Sequence, residues 1–215
     1  MGAKTWMLVY SEGDAREALI RHPPLDRGRT LRLAQKLFPG ERRTALGDGD
    51  LYATCPPRDE LAIGCFEGVS MVASLEFCLD YPSQLPKHFI RAAGKGIVTL
   101  HAMYSCDDWF AYARWLGGTL ARSLSISPHA GIIEDLGGRL PFEEPFWAGQ
   151  HSPLDENDEE GYDYPIPFNP LDMGEAAALA IFGFNFEGLM SNPIDPQTIP
   201  LMRFKRIRPW YRFWR

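Results

Sequence analysis

A pair of glycines at positions 117 and 118 constrains the fold of this chain more than any other feature. They join two runs of Trp, Tyr, Leu and small residues, and a two-residue hairpin turn needs the positive φ angles that glycine adopts without steric cost. The segment 96–126 therefore predicts three antiparallel strands, of which the first two are joined by a polar loop at 105–108. We expect these strands to be the scaffold of the protein.

Counting outward from the glycines gives a strand register, which places Trp115 opposite Leu120. The other predicted pairs are Leu116–Thr119, Ala113–Arg122, Ala111–Leu124, Trp109–Ile126 and Tyr104–Trp109. Because successive side chains of a strand point to opposite faces, Trp109 and Trp115 share a face. That face is predicted to be the core.

The opposite face is predicted to carry a row of three polar side chains, His101, Tyr112 and Ser123. An imidazole, a phenol and a hydroxyl side by side could bind a polar ligand or transfer a proton. The alternative is structural, since one face of an antiparallel sheet is often half covered and such a row then satisfies its own hydrogen bonds. Further candidates near the row are Asp107, Asp108, His129 and Glu134.

The order of elements favours an α+β class. A strand, two helices, a meander, one helix and a second meander follow one another, instead of a strict alternation of strands and helices. A hydrophobic content of 45% in 215 residues is enough for a sizeable core. We predict a single domain over 1–202, with a largely antiparallel or mixed sheet and helices packed on one face.

Helix starts are predicted where an acidic residue has the spacing of an N-cap, at Asp14 with Glu17, at Asp26, and at Asp172 with Glu175. The Asp172 helix should stop at Gly183. Two segments are predicted to lack regular structure: 47–50, interpreted as a turn, and the chain beyond Ile126, where glycine, proline and short apolar runs alternate.

Charge is distributed unevenly along the chain. The net charge is −6, but residues 203–215 contain six cations and no acid, so the rest of the chain has a net charge of −12. This ending, interpreted as a basic aromatic tail, interleaves cations with rings, as segments that bind phosphates or membrane interfaces do. The residues that would bind a protein partner or a polyanion are Arg206, Arg208, Trp210, Arg212 and Trp214.

The tail could also dock on the acidic body of its own chain, for example on the acidic loop 155–163. An acidic body argues against a large nucleic-acid-binding face. The four cysteines form no CxxC pair and none lies at metal-ligand spacing from a histidine, so reduced thiols, no metal and no cofactor are predicted. No apolar stretch has the length of a membrane helix, and we predict a cytoplasmic protein.

Several segments resemble a family of uncharacterised bacterial proteins, a domain of unknown function. They are MGAKT at the N-terminus, YPSQLP at 81–86, LHAMYS at 100–105, SLSISPHAGIIEDLG at 123–137 and LPFEEPFWAG at 140–149. The resemblance implies no activity. In that family the residue after Ser127-Pro128 tends to be acidic, whereas this chain has His129, which weakens the case for a fixed catalytic group there.

The sequence is compatible with two functions. The first is a binding or interaction protein without catalysis, which is favoured because no GxSxG elbow, HExxH or kinase motif is present. The alternative is a hydrolase or transferase that acts on a small polar substrate through the face of His101, Tyr112 and Ser123. Glu143 and Glu144 are adjacent, so on an extended strand they would point to opposite faces and form no carboxylate pair.

Overall fold

An antiparallel sheet of nine strands forms the body of the protein within the residues that the computed structural model describes, which are 3–151, 165–187 and 192–207. The strands are β1 (Lys4–Ser11), β2 (Arg42–Gly49), β3 (Glu60–Cys65), β4 (Val69–Ala73), β5 (Ile97–Tyr104), β6 (Trp109–Leu116), β7 (Thr119–Ser127), β8 (Gly131–Gly137) and β9 (Leu201–Ile207). Their order across the sheet is β2-β9-β3-β4-β1-β5-β6-β7-β8, so β1 lies at the centre.

The helices are few and short. In the described part of the chain they are α1 (Ala15–Ile20), α2 (Arg27–Leu37), α3 (Lys87–Arg91), α4 (Glu144–Trp147) and α5 (Pro170–Phe182). The predicted caps of the first two are confirmed, because Asp14 accepts a hydrogen bond from Glu17 N at 3.1 Å and Asp26 accepts one from Arg29 N at 2.8 Å. Both satisfy a backbone amide that the helix itself leaves free.

Both faces of the sheet are buried at its central strands. The tryptophan face, which carries Trp6, Trp109 and Trp115, packs against α2 and α3. The histidine face, which carries Met7, His101 and Tyr112, packs against α1 and α5. Consecutive residues Trp6 and Met7 of β1 are therefore both in a core, on opposite sides of the sheet.

The predicted α+β class with helices on one face is wrong, since the fold is dominated by one antiparallel sheet. Local capping and periodicity signals indicate where a helix begins, but they do not indicate which face of a sheet it covers. The side chains of the continuous apolar run of β1 must be buried on both sides of the sheet. Short helices and loops pack against both faces and bury them.

Three strands were not predicted. The segment interpreted as a turn at 47–50 lies largely in β2, the segment after Ile126 contains β8, and residues 203–207 of the proposed tail lie in β9. Both edge strands, β2 and β8, have mostly exposed side chains, so they lack the apolar alternation that identifies a half-buried strand. β9 pairs on both sides, with β2 and β3, although its sequence is rich in cations.

The predicted hairpin at 117–118 is confirmed, and both glycines have positive φ. Tyr104 pairs with Trp109, as predicted, and Trp109 and Trp115 are buried. The register of β7 shifts by one residue beyond Leu120, where Ala121 forms a bulge. Arg122 consequently pairs with Arg114 instead of Ala113, and every later residue of β7 moves to the face opposite to that predicted.

The start of α5 also differs from the prediction. The helix begins at Pro170, and Asn169 caps it by accepting a hydrogen bond from Leu171 N at 2.9 Å. Proline suits the first helical position because no backbone amide is needed there. The predicted stop at Gly183 is confirmed by its left-handed conformation. Glu175 lies within the helix and is buried.

Candidate functional site

His101 and Tyr112 form the cross-strand pair that the sequence predicts, on β5 and β6. His101 has no exposed surface, and its Nε2 lies 2.9 Å from the carbonyl oxygen of Gly174 on α5. Its ring packs among Phe110, Phe182 and Phe186. Burial lowers the pKa of His101 to about 4, so the imidazole is neutral at physiological pH.

Tyr112 takes part in a buried polar network. Its hydroxyl donates a hydrogen bond to Glu143, which also forms a two-point ion pair with Arg122, at 3.0 Å from Nε and 2.6 Å from Nη2. None of these three residues has exposed surface. Burial raises the pKa of Tyr112, and the carboxylate of Glu143 raises it further. The phenol is therefore protonated and directed toward an internal partner.

Ser123 does not join this pair. Because of the bulge at Ala121, Ser123 lies opposite Ala113 and its side chain is on the tryptophan face. There its hydroxyl donates to Glu134 Oε2 at 2.6 Å, and Glu134 also accepts a hydrogen bond from Ser83 Oγ at 2.5 Å. The structure thus brings two of the three predicted row residues together and places the third on the other side of the sheet.

The remaining catalytic candidates are dispersed. His129 is exposed in the turn between β7 and β8, whereas Asp107 and Asp108 lie in the loop between β5 and β6. Glu134 is buried on the tryptophan face with Ser123 and Ser83. No group of three or more His, Cys, Asp or Glu side chains within the described ranges is arranged to hold a metal ion.

The predicted binding residues of the C-terminus separate into two sets. Arg206 is buried in β9, where Glu41 accepts hydrogen bonds from its Nε and Nη2, both at 2.8 Å. It also pairs with Glu76 at 3.0 Å and lies over the ring of Phe38. Arg206 is therefore committed to partners inside the molecule. The other predicted residues, Arg208, Trp210, Arg212 and Trp214, and the acidic loop at 155–163, lie outside the described residues.

A pocket opens beside the sealed pair, one row further along the histidine face. In that row Thr99 of β5 pairs with Arg114 of β6, and both side chains line a cavity of about 260 Å³. Arg114 Nε is buried and has no hydrogen-bond partner among the described residues. An unsatisfied buried donor is rare in proteins and calls for an explanation, such as an acceptor supplied by water or by a bound molecule.

The rest of the pocket has an apolar wall and one carboxylate. The apolar residues are Ala15, Ile97, Leu140, Pro141, Phe142, Ala180 and Ile181. The carboxylate belongs to Asp14, which caps α1 and, within the described part of the chain, forms no ion pair with Arg114. Within the described residues the pocket therefore combines an apolar surface with a guanidinium that forms no ion pair.

The sequence places Arg114 on the face of His101 and Tyr112, but it gives no reason to single this residue out. The signal that identifies Arg114 is tertiary: α5 and the loop 140–142 line its pocket, and no described residue supplies an acceptor to its Nε. Arg122 and Glu143 were missed for a related reason, because the bulge and the position of α4 bring them together.

Comparison with known proteins gives a family without an activity. The family described as "Family of unknown function (DUF6928)" matches residues 5–204, which confirms the resemblance to an uncharacterised domain family. No curated protein and no solved structure matches this sequence. In the residues that the structure describes, no helix is long and apolar enough to cross a membrane.

Proposed function

Because the chain belongs to the family of unknown function DUF6928, its role has to be inferred from the site, and we propose that it is a binding protein for a small monocarboxylate. The observation that carries the proposal is the unsatisfied Nε of Arg114 in the pocket on the histidine face. Arginine pairs with carboxylates through two parallel hydrogen bonds, which are stronger than bonds between neutral groups.

The apolar wall defines the rest of the ligand. With the carboxylate at Arg114, the remainder of a bound molecule would contact Leu140, Phe142 and Ile181. A cavity of about 260 Å³ suits a short aliphatic or single-ring acid, because burial of its apolar part adds to the ion pair. Thr99, opposite Arg114, supplies a hydroxyl beside the carboxylate position.

The surroundings of His101 and Tyr112 favour a binding function over a catalytic one. His101 and Tyr112 have no exposed surface; Nε2 of His101 bonds to the carbonyl oxygen of Gly174, and the hydroxyl of Tyr112 donates to Glu143. Neither side chain lines the Arg114 pocket. A general acid or base must come within hydrogen-bond distance of its substrate, and these two groups are enclosed instead.

Two further expectations remain proposals. We propose that residues 208–215 bind a protein partner or a polyanion, or dock on the acidic body, now without Arg206 because that residue is paired within the sheet. We also propose a cytoplasmic location, based on the cysteine pattern and on the absence of a membrane-helix stretch from the sequence.

Calorimetric titration with benzoate and hexanoate tests the carboxylate proposal. We expect wild-type protein to bind at least one of the two acids, and Arg114→Met to bind it about tenfold more weakly, because a charge-assisted pair is lost. Arg91→Met is the matched control, since Arg91 is exposed on α3 and lies away from the pocket. The proposal fails if wild-type binds neither acid or if both variants bind as wild-type does.

A further inference from the structure

A second cavity lies on the opposite side of the sheet, beneath helix α2. It has a volume of about 330 Å³ and is bounded by α2, by the ends of β1, β3 and β4, and by residues 92–96. Three cations of α2 line it: Arg29, Arg32 and Lys36. Their spacing of three and four residues places them on one side of the helix.

Two of the three cations donate to backbone carbonyl oxygens of other segments. Arg29 Nη1 donates to the carbonyl oxygen of Phe66 at 3.3 Å, and Lys36 Nζ donates to that of Ala92 at 3.1 Å. Carbonyl oxygens position a cation without neutralising it. Within the described part of the chain no carboxylate forms an ion pair with Arg29, Arg32 or Lys36, so their charge is available to a ligand.

The opposite wall supplies polar groups of another kind. Glu12 is the acid that lines the cavity, and the hydroxyl residue Ser70 lines it with little exposed surface. The three cations and Glu12 together give the lining a net charge of +2. A phosphate monoester carries a charge close to −2 at neutral pH, and its oxygens accept hydrogen bonds from several donors at once.

We propose that this cavity binds a small phosphate monoester that carries hydroxyl groups, such as a phosphorylated sugar. The phosphate lies between Arg29, Arg32 and Lys36, and the hydroxyls bond to Glu12 and Ser70. The cavity volume is in the range of small-molecule sites. This site is independent of the Arg114 pocket, because the two lie on opposite faces of the sheet and share Ser11 alone of their lining residues.

Calorimetric titration of the full chain with glucose 6-phosphate, inorganic phosphate and glucose tests this site. We expect the affinity to fall in that order, because glucose 6-phosphate contacts both walls of the cavity, whereas inorganic phosphate and glucose each contact one. The Arg32→Glu and Arg32→Gln variants should bind glucose 6-phosphate at least about tenfold more weakly. Arg32 is exposed, so both variants should keep the fold, which circular dichroism checks.

Two controls separate a built site from general electrostatic attraction. Arg42→Glu, on the exposed edge strand β2, changes the net charge by the same amount as Arg32→Glu. It should leave the affinity for glucose 6-phosphate within about twofold of wild type. Glu12→Gln should reduce the preference for glucose 6-phosphate over inorganic phosphate. The proposal is overturned if wild-type protein does not bind glucose 6-phosphate, or if Arg42→Glu weakens binding as much as Arg32→Glu. It is also overturned if Glu12→Gln leaves that preference unchanged.

The same titrations distinguish this site from the carboxylate pocket. Arg114→Met should leave glucose 6-phosphate binding unchanged, and Arg32→Glu should leave benzoate and hexanoate binding unchanged. Failure of one proposal therefore does not affect the other. If Arg114→Met weakens glucose 6-phosphate binding as much as Arg32→Glu does, the assignment of the phosphate to the α2 cavity is wrong.

Discussion

Arg122 and Glu143 form an ion pair in which neither side chain has exposed surface, with 2.6 Å between Nη2 and Oε2. The pair connects β7 to the start of α4, and Asp135 on β8 forms a second ion pair with the same arginine. Burial by itself would lower the pKa of Arg122, but the hydrogen bonds to Glu143 and Asp135 raise it above its usual value. The guanidinium of Arg122 is therefore charged, and it is paired with carboxylates inside the fold.

Replacing Glu143 with glutamine should destabilise the protein by about 3 kcal/mol, because it leaves a buried guanidinium with one remaining carboxylate. Urea unfolding measures the change. Glu144→Gln is the control, since Glu144 is adjacent and exposed, and it should change the free energy of unfolding by less than about 0.5 kcal/mol. Equal effects of the two variants would contradict the role assigned to the buried pair.

Gly137 and Gly138 should respond differently to alanine. Gly137 has φ +83°, and a Cβ there would lie 2.1 Å from the carbonyl oxygen of Ala121, the bulge residue. Gly138 has nothing within 4 Å of its Cβ position. We expect Gly137→Ala to lower the free energy of unfolding by more than about 1 kcal/mol and Gly138→Ala to have little effect. Thermal unfolding of both variants checks this, and a smaller loss at Gly137 would show that β7 and β8 can separate at low cost.

The burial of His101 predicts a pH dependence of stability. Its pKa is about 4 in the folded protein against 6.5 for an unperturbed histidine, so the unfolded state binds the proton more tightly. Wild-type stability should therefore fall as the pH is lowered from 6.5 to 4, by roughly 3 kcal/mol from this residue.

The variant His101→Gln provides the comparison, because it removes this titration and keeps a donor for the carbonyl oxygen of Gly174. The difference in unfolding free energy between wild type and variant, measured by urea unfolding at several pH values, should shrink or reverse as the pH falls through this window. A difference that is constant between pH 7 and 4 would mean that His101 is accessible to protons in the folded state.

Local chemistry was sufficient to predict several elements. The paired glycines predicted the hairpin of β6 and β7, and the acidic caps predicted the starts of α1 and α2. Each of these signals depends on a few consecutive residues and their own backbone geometry. The edge strand β8 carried no such signal, because its side chains are mostly exposed and hydrogen bonds to one neighbour hold it in place.

The candidate site was predictable only in part. The pairing of His101 with Tyr112 follows from the short loop between β5 and β6, which leaves little freedom of register. The position of Ser123 could not be predicted, because a bulge of one residue in the pairing of β6 with β7 moves it to the other face. Whether the histidine face is exposed to solvent could not be predicted either, because α5, which covers it, comes from a distant part of the chain.

By itself, the sequence determined the family, the hairpin at the glycines and the inward direction of Trp109 and Trp115, because family membership resides in the residues and the strand signals are local. Only the tertiary structure decided that both faces are covered, that Arg206 belongs to the sheet, and that Nε of Arg114 has no acceptor among the described residues. Burial and hydrogen-bond satisfaction depend on which distant segments come into contact, and the spacing of residues along the chain does not indicate those contacts.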